Sequence, residues 1–346
     1  MRKDSKRRQN VNMVYVQGYH SNNCSYGDNQ GYAFQGFPET LYFNSDRAIR
    51  TRVENGVLVR VDNAPLAGYG TETEVECNSI SNTSVLAEVF DKVIFPNFKF
   101  GKKMFKMQED GSLGGDTSVE VISQVMTKGR IRNDYAAYHT MYDKYFQCLG
   151  LSSDARYTNC GMHINISNGV FGNTEADIVE GIRKFYYVIN RHYRFMCRLF
   201  YRPADKTYWC GQMTEEHLSH QYWDDALARH YRYENARNID LKGDVPTSHN
   251  NCVNLSHYKA GRIELRLPGG QDSYIRFRNT MECAFFLTEN IRKVEWDDLD
   301  DLVKVFSGCN NYVVKRLRDC IGIGGYTPEM HHEIEANCEV VDHELR

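Results

Sequence analysis

The sequence predicts an α+β fold, and two observations carry that prediction. Five short segments alternate polar and apolar residues at the period of two that a pleated strand imposes. Two longer segments carry apolar residues at the helical period instead. Strands and helices interleave from Gly68 onward.

Residues 1 to about 63 are rich in Asn, Gly, Tyr and Ser and read as an N-terminal extension, partly irregular. The basic start, MRKDSKRR, is followed by polar QNVN, so it reads as a solvated terminus and not as a secretory signal. The extension ends in a hairpin-like element at Asn55-Gly56, before the alternating Val57, Val59 and Val61. Residues 64–292 form the expected main domain. Its strands are Thr71 to Cys77, Thr117 to Ser123, Cys160 to Ser167, Asn251 to Ser256 and Arg262 to Pro268. One helix runs from about Asn133 to Leu149 and stops at Gly150, a residue suited to a helix end. Another begins at Asn173 or Thr174 and carries Ile178, Ile182, Phe185, Ile189, Tyr193, Met196 and Phe200 along one core-facing stripe. It ends before Arg202-Pro203. A third helix covers Thr280 to Arg292. Residues 293–346 read as a helical segment, Asp297 to Val305, and an acidic solvated tail beyond Ile321. That tail holds His331, His332 and His343 without a clear set of metal-ligand partners.

Composition narrows the function classes. The chain has 346 residues and 41% hydrophobic residues, enough for a sizeable core. Its formal charge of −3 gives no electrostatic case for nucleic acid. No run of about 18 apolar residues occurs, so no membrane span is expected. The 11 Cys are irregularly spaced, which points to a reducing, cytoplasmic compartment rather than a disulfide framework. No GxxxxGK[ST] motif is present, so a P-loop phosphate site is excluded.

The segment GTETEVEC places Glu72, Glu74 and Glu76 on one strand face, roughly 7 Å apart in succession. Carboxylates that close repel unless cations lie between them, although a solvated face also accommodates repeated Glu. In RIELRLP, Ile263, Leu265 and Leu267 face one way and Arg262, Glu264 and Arg266 the other. This suits either a surface salt-bridge ladder or a metal ligand beside a phosphate-gripping guanidinium. In CGMHINIS, His163 and Asn165 oppose Cys160, Met162, Ile164 and Ile166. The segment KMQEDGSLGGDTSVEVIS carries Lys106 and Asp110 upstream of a turn, then Glu120 between Val119 and Val121. If these strands share one sheet, their polar faces become a carboxylate cluster with one imidazole. Such a cluster suits a hard divalent cation, Mg²⁺ or Mn²⁺.

The order of these motifs resembles the amidoligase family. That family lies within the carboxylate–amine ligase superfamily, which includes glutamine synthetase and glutamate–cysteine ligase. The matching residues are Gly70, Glu72 and Glu74, then Asp110, Ser112, Glu120 and Ser123. Gly161 and His163 follow, then Asn254-Leu255, and finally Glu264 and Arg266. They span about Gly68 to Arg292. One departure is Asn165, where the family often has a second His.

The resemblance implies a glutamine-synthetase-like fold, a curved, mostly antiparallel sheet with helices on its outer face. It implies an ATP-dependent ligase that forms an amide or peptide bond through an acyl phosphate, with Mg²⁺ or Mn²⁺. Glu74, Glu120 and Asp110 would hold one metal. Glu72, His163 and Glu264 would hold another at the ATP phosphates. Arg266 would stabilise the transferring phosphoryl group, with Lys106, Ser112 and Asn254 at the nucleotide and Glu264 close to the chemistry. The substrates would be an amine and an amino-acid, peptide or protein carboxylate, in a bacterial or phage-infected host cell. Two other readings stay open: a guanidino-type phosphotransferase of the same fold, and a catalytically silent binding or virion-associated protein. The sequence leaves oligomeric state and substrate identity undetermined.

Overall fold

The computed structural model describes residues 68–340, apart from 78, 81–82, 99–104, 109–112, 114–116, 124, 213–249, 256–257 and 259–260. It also describes the backbone of four strands between residues 40 and 60. The architecture is mixed α and β, with one large open sheet in which every strand pairing is antiparallel.

The N-terminal extension contains more regular structure than its composition suggests. β1 (Thr40–Asn44) pairs with β2 (Arg47–Ile49). β3 (Thr51–Glu54) and β4 (Val57–Arg60) form the expected hairpin, with Glu54 opposite Val57. The turn residues Asn55 and Gly56 lie outside the described residues.

The sheet is built around β5 (Tyr69–Cys77), whose β-branched Thr71, Thr73 and Val75 suit a pleated strand. β6 (Phe105–Gln108) pairs with β7 (Ser118–Ser123), and β7 pairs with β5. β8 (Val125–Met126) links β5 to β1, and β9 (Leu151–Ser152) meets the far end of β5. β10 (Met162–Ser167) lies between β5 and β12 (Arg262–Leu265), and β11 (Val253–Asn254) flanks β12. The five expected strands are all present. The fourth is cut to two residues, and the fifth ends before Arg266.

One sheet face is apolar. Val75, Val119, Val121, Met162, Ile164, Ile166, Ile263 and Leu265 are buried there in the core. The first helical elements are α1 (Thr83–Val89), α2 (Lys128–Asn133) and α3 (Tyr135–His139). α3 continues as a π-helical stretch over Thr140–Phe146. The expected helix from about Asn133 to Leu149 is thus present from Tyr135 onward, and Asp134, whose carboxylate is held by the Arg130 guanidinium, separates it from α2.

α4 (Glu175–Arg191) starts as expected, with the Thr174 hydroxyl accepting the Asp177 amide. It does not run through to Phe200. His192 leaves helical geometry at ψ 31°, its ring bonds the Leu299 carbonyl, and a separate α5 (Tyr193–Leu199) follows. α6 (Tyr274–Asn290) begins six residues before the expected Thr280, since the Tyr274 amide is capped from outside the segment by Asp143. Its first turns carry Arg276 and Arg278, so no apolar stripe announces them.

The C-terminal region corrects the expectation of a solvated tail. α7 (Leu302–Phe306) is capped by Asp301, α8 (Asn311–Arg318) by Asn310 and α9 (Pro328–Ala336) by Thr327. Tyr326, His331 and Ile334 are buried, and the Tyr326 hydroxyl lies 3.1 Å from His331 Nδ1. The cysteines at described positions are unbridged. Among the described residues no helix is long and apolar enough to cross a membrane.

Glu282 on α6 joins three elements from a fully buried position. It accepts from Arg132 Nε at 2.9 Å and NH2 at 2.6 Å, from the Tyr135 hydroxyl at 2.7 Å and from Asn310 Nδ2 at 3.0 Å. Removing one member of such a pair leaves the rest buried without compensation. Glu282→Leu should therefore lower unfolding stability by about 3 kcal/mol or more. Breaking the exposed Arg318–Glu335 pair with Arg318→Ala should cost at most about 1 kcal/mol. Urea unfolding of the two variants measures the difference.

Candidate functional site

The second sheet face collects the polar residues. Period-two alternation points Glu72 and Glu74 away from the core face, and the register then sets their neighbours. His163 lies opposite Glu72, Glu120 opposite Glu74, and Asn165 opposite Glu264, which also faces Asn254. Directly opposed residues project to the same side, so five strands assemble one cluster.

The side chains meet at short range. His163 Nδ1 is 3.3 Å from Glu72 Oε2 and 3.4 Å from Glu264 Oε1, and its Nε2 is 3.8 Å from Glu74 Oε1. One donor atom each from Glu72, Glu120 and His163 lie within 4.8 Å of one another. Asn165 Nδ2 donates to Glu72 Oε1 at 2.8 Å, and Asn254 Nδ2 donates to Glu264 Oε2 at 2.9 Å. Arg266 NH1 donates to Glu264 Oε1 at 2.6 Å. Glu72, Glu74, Glu120, His163, Asn165, Asn254 and Glu264 are all buried. Neither the solvated face nor the surface salt-bridge ladder therefore describes these strands.

The edge of the cluster is backbone. The Gly161 amide donates to the Glu74 carboxylate, and Glu74 N donates to Gly161 O at 3.2 Å. A Cβ at Gly161 would stand 3.2 Å from Arg202 NH2 and 3.3 Å from His163 Nε2, so a side chain there would crowd the site. Arg202 in turn donates to the carbonyls of Arg266, Leu267 and Pro268, fixing the chain just after Arg266. The loop before Gly161 is anchored by Asp154. Burial pushes that carboxyl up, but hydrogen bonds from Arg156 and the charges of Arg276 and Arg156 hold it at about 2.

Charge is the main physical fact of the site. Four buried carboxylates, Glu72, Glu74, Glu120 and Glu264, gather around the His163 imidazole, and the Arg266 guanidinium pairs with Glu264. Burial works against the Arg266 cation, yet Glu264, Glu72 and Glu74 together raise its pKa above the usual arginine value. Carboxylate oxygens with one imidazole fit a hard divalent cation such as Mg²⁺ or Mn²⁺. Glu72, Glu120 and His163 supply the set, with Glu264 adjacent through His163.

Of the residues expected from sequence, Glu72, Glu74, Glu120, His163, Asn254, Glu264 and Arg266 come together. Lys106 sits in β6 with its backbone opposite Ile122. Its side chain, and all of Asp110 and Ser112, lie outside the described residues. Sequence reasoning gave no role to Arg262 or Arg202. Arg262 alternates with Glu264 and was readable as part of the same face. Arg202 comes from irregular chain after α5, where no periodicity marks it. No protein-family model matches the chain, and no curated protein matches it.

A cation that binds only the folded state stabilises it. Mn²⁺ should raise the melting temperature of the wild type, with about 2.7 kcal/mol gained at a hundredfold excess over Kd. In Glu72→Gln/Glu120→Gln most of that gain should vanish, while the metal-free double variant melts no lower than metal-free wild type because two repelling charges are gone. Equal Mn²⁺ responses in both proteins would contradict the site.

Proposed function

We propose that the chain is an ATP-dependent, metal-assisted carboxylate–amine ligase that forms an amide or peptide bond. One observation carries the reading. Glu72 and Glu74, Glu120, His163, Asn254, and Glu264 with Arg266, drawn from five short motifs in the order the amidoligase resemblance implies, meet at a single buried sheet face. An open antiparallel sheet with helices against its apolar side is compatible with a glutamine-synthetase-like fold.

The physical need for ATP lies in the substrate. A carboxylate is a poor electrophile at neutral pH, and phosphorylation gives it a leaving group. A carboxylate oxygen attacks the γ-phosphorus, the bond to the β-phosphate oxygen breaks, and ADP departs. The amine nitrogen then attacks the acyl carbon, the C–O bond to phosphate breaks, and the amine's surplus proton passes to a carboxylate of the cluster. A bound Mg²⁺ or Mn²⁺ neutralises charge between anions that otherwise repel.

This chain's residues divide the remaining work. Glu72, Glu120, His163 and Glu264 hold the cation. Arg266 presents a planar, forked donor to the phosphoryl oxygens as charge spreads over them. Gly161 keeps the approach open beside Glu74. Asn254 fixes the Glu264 carboxylate so that its other oxygen faces Arg266 and His163.

Arg266→Lys keeps the charge and loses the fork. Turnover should fall on the order of 10²–10³, the usual cost of losing one charge-stabilising donor, while ATP binding weakens less. The assay is ADP release with ATP, Mg²⁺ and a library of amino acids and peptides, with mass spectrometry identifying the amide. A Lys variant that releases ADP at the wild-type rate would remove Arg266 from the phosphoryl site. Phosphorylated product without an amide would turn the reading to a phosphotransferase.

A further inference from the structure

We propose that Asn165 is a positioning residue of the metal group, acting through Glu72 under the control of Arg262. The inference rests on the metal-binding reading above and extends it to residues given no role there.

Three buried side chains form a directed relay. Arg262 Nε donates to Asn165 Oδ1 at 3.2 Å, and Asn165 Nδ2 donates to Glu72 Oε1 at 2.8 Å. The direction is fixed by chemistry. A guanidinium nitrogen only donates and a carboxylate only accepts, so the carboxamide has one orientation that satisfies both neighbours. The two carboxylate oxygens of Glu72 thereby become different. Oε1 is tied to Asn165, and Oε2 is turned toward His163 Nδ1 at 3.3 Å, on the side of the imidazole with which Glu72 would share the cation.

Register makes the relay possible. Asn165 lies directly opposite Glu264 on β12 and two residues from His163 on β10, so it faces the same side as both ligands. Outer partners of this kind typically set metal affinity by ten- to a hundredfold.

The test is Mn²⁺ affinity by calorimetry, with the Mn²⁺ paramagnetic resonance line shape, on wild type, Asn165→Leu, Glu72→Gln and the double variant. Asn165→Leu should weaken Mn²⁺ binding about 10–100-fold in the wild-type background and change the line shape at saturation. In the Glu72→Gln background the same substitution should change affinity less than about threefold, because residues acting through one another are not additive. Equal losses in both backgrounds, or no loss in either, would overturn the relay while leaving the metal site standing. A wild-type protein that binds no Mn²⁺ would overturn both. Asn165→Ala makes the same comparison with a smaller side chain should the leucine variant not fold.

Discussion

A carboxylate taken out of water must find donors or a counter-charge, and β5, β7 and β12 bring Glu72, Glu74, Glu120 and Glu264 to one buried face. At about 4 Å, two like charges repel by about 4 kcal/mol at an effective dielectric near 20. Groups from neighbouring strands offset this repulsion. β10 supplies His163 and Asn165, β11 supplies Asn254, and the chain just after β12 supplies Arg266. A one-residue slip between β5 and β10 would send His163 into the core and leave Glu72 without it. Register is therefore the constraint on which both fold and site depend.

The opposite face holds that register in place. The rings of Tyr138 and Phe277 stack at 4.1 Å, and Tyr69 meets Phe285 edge-on at 4.6 Å, tying α3 and the start of β5 to α6. Rings in such contact contribute about 0.5–1.5 kcal/mol beyond their burial. The Tyr69 hydroxyl reaches Thr288 on α6 at 2.8 Å, so β5 is gripped one residue before the Gly70 that opens its polar row. Rigid placement matters for function because a metal group needs its ligands held before the ion arrives. The helical layer is in this sense part of the site.

The alternation of GTETEVEC, CGMHINIS and RIELRLP was enough to read which residues share a face, because a period of two leaves no other choice for a strand. Convergence of those faces was an expectation from motif order, and the cross-strand pairs supply its geometry. Elements whose boundaries depend on partners far along the chain were less legible. The break at His192 depends on the Leu299 carbonyl, and the start of α6 on Asp143. The tail was read as solvated because its charged residues outnumber the few, among them Tyr326, His331 and Ile334, that bury it. Arg202 was invisible for a similar reason, since its bonds are to backbone carbonyls that only the fold brings near.

The central claim is that Glu72, Glu120 and His163 share a divalent cation on the polar sheet face. Crystals grown with Mn²⁺, measured at a wavelength where manganese scatters anomalously, locate the ion without reference to any assay. The account predicts an anomalous peak at bonding distance from one oxygen each of Glu72 and Glu120 and from a ring nitrogen of His163. It also predicts that Asn165 still donates to the other oxygen of Glu72. A Mn²⁺ peak elsewhere with this cluster empty, or Arg266 occupying the space between the carboxylates in the presence of saturating Mn²⁺, would contradict it.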